Sequence, residues 1–252
     1  MFKNPRLRLG VALWLAGMAG VAAISFAVIP QLLLSAPEQV PAGLAIAASL
    51  LQSGALLALA VWVGVALSKP LGLGSPVFEA FVLGRNCTDP LRRQLLPALL
   101  VGLLVAALLV YLNGAAPPEI QSLGTQFQIP LVAKVLYGGI TEEILMRWGL
   151  MTLLIWLPWR FLQQRSGPPL TAFIVFGIVT AALLFAAGHL PAVVAMGGGL
   201  SAPVVAYVML GNTLPGILFG VLYWRLGLEA AMLAHATAHL VSVAVLQSAF
   251  NT

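Results

Sequence analysis

Seven apolar runs occupy most of the chain, at 9–34, 42–67, 95–113, 129–159, 169–188, 203–223 and 228–250. A helix needs about 20 apolar residues to cross the hydrocarbon core of a bilayer, so each run matches one crossing. Inside hydrocarbon the backbone must satisfy its own hydrogen bonds, which makes each run a helix. Composition agrees: 61% of the 252 residues are hydrophobic and 8% are charged, whereas soluble domains carry about 25% charged residues. The fold class is therefore all-α, a polytopic transmembrane helical bundle of about seven spans. An eighth would require Gly197-Gly198-Gly199 to belong to a re-entrant segment rather than a turn. The whole is one membrane domain, with three helices and their loops in 1–128 and a core in 129–252.

The charges orient the bundle. With the N-terminus inside, the inner segments hold Lys3, Arg6, Arg8, Lys69, Arg85, Arg92, Arg93, Arg160, Arg165 and Arg225, and the outer ones hold Glu38 and Glu119. That is the alternation expected from the positive-inside rule, and it places the C-terminus outside. The net charge of +5 is thereby accounted for without nucleic acid. The first run, though preceded by basic residues, is longer than the 7–15 residues of a signal peptide's apolar region and is read as an uncleaved span. The single cysteine, Cys87, excludes internal disulfides and a cysteine metal site. Segment 75–81 is expected along the inner surface.

The fourth run is the exception among the seven. Its middle reads Thr141-Glu142-Glu143-Ile144-Leu145-Met146-Arg147, and Lys134 precedes it. Charged groups at such depth cost about 2.5–3.5 kcal/mol each on insertion scales, so they mark a functional site. Glu143 and Arg147 stand four apart in the order that favours pairing on a helix. Glu142 is turned about 100° away by the helical repeat. One carboxylate is thus expected to serve structure while the other is free for chemistry.

Only three histidines occur, His189, His235 and His239, the last two one turn apart on one helix face. Imidazole and carboxylate are the usual groups for activating water, either as general bases or as zinc ligands with an open position. The His235-x-x-x-His239 spacing lacks the glutamate of a zincin, because Ala236 stands in its place. On straight helices His189 would lie at the outer end of its span and His235 about seven residues in from the inner side, so the depths do not match without tilt or a dipping turn.

These motifs, Glu142-Glu143-x-x-x-Arg147, Phe185-x-x-x-His189 and His235-x-x-x-His239, resemble in order and placement the CAAX prenyl endopeptidase and bacteriocin-processing family of intramembrane proteases. The lead-in 216–227 is similar too, and the resemblance covers about 129–245. It implies an intramembrane endopeptidase acting on a membrane-associated protein or peptide. By analogy Glu142 and His189 activate a water, His235 and His239 hold the oxyanion, and Glu143 with Arg147 maintain the site. The family leaves open whether zinc takes part, in which case Glu142, His189 and His235 are the candidate ligands. His239 departs from the Asn of eukaryotic-type members. A multi-pass protein of a bacterial plasma membrane is expected. A non-catalytic immunity or scaffold protein of the same fold, and a proton-coupled transporter, are the competing classes; the lack of an internal repeat counts against the transporter.

Overall fold

The computed structural model describes residues 4–34 and 40–250, the side chain of Phe250 excepted. Lys3 and Glu38, used above to orient the chain, lie outside the described residues. The apolar runs are helices, apart from 129–130 and 169–170 at the start of two of them. In chain order these are α1 (Pro5–Leu34), α2 (Ala42–Leu67), the short α3 (Pro76–Val82), α4 (Thr88–Gly114) and α5 (Pro118–Gln126). After the central helix come α8 (Thr171–Gly188), α9 (Leu190–Ala195), α10 (Ala202–Leu226) and α11 (Leu228–Phe250). Proline opens α3 and α5 from within the first turn, where its missing N–H costs no hydrogen bond.

The central helix runs without a break from 131 to 161, but its turns change width. It begins as α6 (Leu131–Ala133), widens into π-helix over Lys134–Glu142 and again over Ile144–Met151, and closes as α7 (Thr152–Phe161). Glu143 sits at the joint between the two wide segments. Such turns are uncommon and usually confined to a single turn near a functional site. The Thr152 hydroxyl donates to the carbonyl of Arg147, five residues back, at 3.1 Å. The buried Thr141 hydroxyl instead leaves the helix and donates to Gly17 O of α1 at 2.7 Å.

Six helices among the described residues are long and apolar enough to cross a membrane: α1, α2, α4, α10, α11 and the joined pair Thr171–Ala195. The central helix, over 131–161, is also long enough to cross, but it carries Lys134, Glu142, Glu143 and Arg147 and is not among the six. Because α8 and α9 continue into one another, the segment before Gly197 is no eighth span. Gly197 (φ 86°) turns the chain there, and the N–H of Gly198 returns to Val193 O at 2.9 Å. The join also gives His189 helix on both sides. His189 is the residue between α8 and α9, with a further turn and a half of helix beyond it, rather than the end of its span.

The core is built around the central helix. Ile144, Trp148, Met151 and Ile155 are buried against Leu13 of α1, Leu57 of α2 and Phe219 and Tyr223 of α10. Between apolar helices in lipid, close packing and interhelical hydrogen bonds replace the hydrophobic effect as the force of association. Gly64 shows what this requires. A β-carbon there would overlap the Trp148 indole, whose Nε1 donates to Val61 O at 3.3 Å. A smaller cluster, Leu123, Val193, Val204 and Val208, joins α5, α9 and the start of α10. Elsewhere Leu15, Phe26, Trp62, Leu96 and Leu104 face outward, an apolar girdle that only lipid covers without aggregation.

At the end where α10 turns into α11, Glu229 is buried and its Oε1 accepts the N–H groups of Val77 (3.0 Å) and Phe78 (2.8 Å). It thus caps α3 rather than serving only the first turn of its own helix, and it pins the segment expected along the inner surface.

Candidate active site

The six residues picked out by sequence meet where the central helix, α8, α10 and α11 face one another, and they divide into two groups. In the first, Glu143 is fully buried and both its oxygens are engaged. Oε2 lies 3.1 Å from Nε of Arg147, and Oε1 lies 2.8 Å from Nδ1 of His235. Arg147, 2% exposed, also donates from Nη2 to Gly216 O of α10 at 2.9 Å. Its guanidinium lies between two rings, 5.4 Å from that of Phe185 and 5.6 Å from that of Phe219. A charged group so placed is tolerable only because ion pair, hydrogen bond and ring faces all neutralise it.

Phe219 does a second thing: its ring stacks on His235 at 4.8 Å between centroids. His235 in turn lies 4.9 Å from His239. The Nε2 atoms of both histidines face Gly138 of the central helix, where a β-carbon would sit within about 3 Å of each. A bare backbone position here keeps the two imidazole edges open toward the helix that carries the glutamates.

The second group is Glu142 and His189, with Oε1 and Nε2 4.0 Å apart. Both are partly accessible, 17% and 35% at the side chain. Nδ1 of His189 is 2.8 Å from Phe185 O. A carbonyl accepts only, so Nδ1 carries the proton, and in the neutral ring Nε2 is then an acceptor facing Glu142. The Phe185 ring meets that of His189 edge to face at 4.6 Å.

Consecutive residues therefore have opposite environments. Glu143 is dry and locked; Glu142 is accessible and faces an imidazole acceptor. Two acceptors about 4 Å apart suit a water that donates one hydrogen to each and keeps its lone pair outward. The arrangement is chemically fit to position and deprotonate a nucleophilic water.

The trio named as candidate zinc ligands is not assembled. Glu142 and His189 face each other, while His235 is turned to Glu143, and among the described residues no three His, Cys, Asp or Glu side chains gather as a metal site needs.

Gly216 and Phe219 were not singled out by chemistry, since a glycine carbonyl and a phenylalanine carry no chemical signature. Their place in the 216–227 lead-in, three apart and so on one face of α10, was the available signal.

No curated protein and no solved structure matches the chain. A family model does: residues 125–241 match the type II CAAX prenyl endopeptidase Rce1-like family. The matched region contains the central helix with both carboxylates, α8 and α9 with His189 between them, all of α10 and the two histidines of α11. Over these site-bearing helices, a little under half of the chain, the protein is similar to the CAAX prenyl endopeptidase family.

Proposed function

We propose that the protein is an intramembrane endopeptidase that hydrolyses a peptide bond of a membrane-associated protein or peptide. The observation that carries this is the accessible Glu142–His189 pair beside the locked Glu143. In the proposed reaction, water donates one hydrogen to His189 Nε2 and one to Glu142. As its oxygen attacks the scissile carbonyl carbon, Glu142 takes the proton. The carbonyl oxygen becomes an oxyanion, held by His235 and His239 across Gly138. Donation from His235 Nε2 requires that ring to carry both protons, with Glu143 balancing its charge. Collapse of the tetrahedral intermediate breaks the C–N bond, and the proton passes from Glu142 to the leaving amine. The products are a carboxylic acid and an amine, which exchange a proton to leave a carboxylate and an ammonium group.

The test is cleavage of a farnesylated CAAX peptide and its unprenylated counterpart by protein reconstituted in liposomes. Glu142→Gln should lower cleavage by about 10²–10⁴-fold, the usual contribution of a general base, with unchanged thermal unfolding. His189→Ala should do likewise. Wild type that cleaves neither peptide nor any extracted membrane protein, or a fully active Glu142→Gln, would leave a scaffold. Metal analysis of the purified protein is the companion experiment. Stoichiometric zinc lost on replacing His189 and His235 would recast both histidines as ligands.

A further inference from the structure

At the end of the bundle where the basic residues collect, α1, α2, α3 and α10 enclose a cavity of about 420 Å³. Arg6, Lys69 and Arg225 line it, against one carboxylate, Glu79. Glu79 is already engaged, since its Oε1 accepts the N–H of Ser75 at 3.1 Å. The nearby Glu229 is buried and turned toward α3. None of the three cations has a carboxylate partner among the described residues. The guanidinium carbon of Arg225 lies over the Trp224 ring, 3.7 Å from its centroid, a contact that occupies none of its N–H donors. Deeper in, the walls are apolar: Leu9, Val65, Val82, Trp148 and Leu226.

Cations with no partner above an apolar interior, at the ends of membrane-spanning helices, match one chemistry well. A lipid phosphate takes the charges while its glycerol and upper chain take the walls. Basic residues at the inner face also meet the anionic leaflet. We propose that this cavity is a binding site for the headgroup of an anionic phospholipid of the inner leaflet. It is separate from the paired glutamates and does not depend on the reaction assigned to them. Its floor includes Trp148, the residue after Arg147, and Tyr223, whose hydroxyl pairs with Thr152 at 2.8 Å. The bound lipid would therefore rest against the central helix.

Native mass spectrometry of the full chain in neutral detergent tests this, with phosphatidylglycerol, phosphatidylcholine of the same chains, and inorganic phosphate as probes. Wild type should bind one phosphatidylglycerol saturably and resist exchange by phosphatidylcholine. The variant Arg6→Gln/Lys69→Gln/Arg225→Gln, altered only at exposed side chains, should bind at least tenfold more weakly. Arg92→Gln/Arg93→Gln, basic but outside the cavity, should bind as wild type. Equal loss in that control would mean diffuse attraction and overturn the site, as would undiminished binding by the triple variant. Displacement of the lipid by millimolar phosphate would overturn the lipid assignment in favour of a soluble anion.

Discussion

Arg147 shows how one side chain holds a polar site in an apolar bundle. It meets Glu143 along its own helix, Gly216 O across to α10, and two phenyl faces, so its removal leaves several groups stranded at once. Arg147→Ala should destabilise the protein by about 3–5 kcal/mol, because the buried Glu143 carboxylate loses its arginine and keeps only His235. Thermal unfolding in detergent checks this, and an unchanged midpoint would show that Arg147 is not needed to hold Glu143. Arg147→Lys keeps the charge but offers a compact ammonium, which does not reach Glu143 and Gly216 O with the same planar fork. It should recover part of the stability only. The Glu143–Arg147 pair is legible in their spacing of four. That His235 would share Glu143 was not, since contacts between helices leave no mark in local sequence.

Helices were read more completely than the joints within and between them. The spans are plain in the sequence because lipid imposes a long apolar run on each. The wide turns of the central helix are not, because a hydrogen bond to the fifth residue back changes geometry without changing composition. The continuation of helix beyond His189 is hidden for a related reason. Pro191 suggests an end, yet proline is accepted in the first turn of α9, so the two helices join. Glu229 reads as a first-turn acid of α11, where it suits that helix's own dipole, and only the structure shows it turned to α3. Packing between helices yields a prediction of its own. Gly64→Ala should cost about 1–3 kcal/mol by forcing the Trp148 indole out of place, as overpacking does. Gly43→Ala on the same helix meets nothing within 4 Å and should be neutral or slightly stabilising. Paired unfolding curves decide, and equal effects would refute the close approach.

For the molecule as a whole, orientation follows from charge. In a Cys87→Ser background, a cysteine at Ser166 should react with an impermeant thiol reagent only from the inner side, and one at Gly199 only from the outer side. The reverse pattern would invert the bundle. The family match begins at residue 125, yet the helix that carries the glutamates is buried against partners that precede it. Thr141 reaches Gly17, Trp148 reaches Val61 and lies on Gly64, and Ile144 is shut in beside Leu13 and Leu57. The recognisable segment is therefore not an autonomous unit of inheritance. Its first helices cannot be exchanged freely with those of another lineage, because a graft brings foreign side chains against Thr141 and Trp148 and must carry its own matching recesses. Divergence in the unmarked half is constrained by fit to the marked half, position by position.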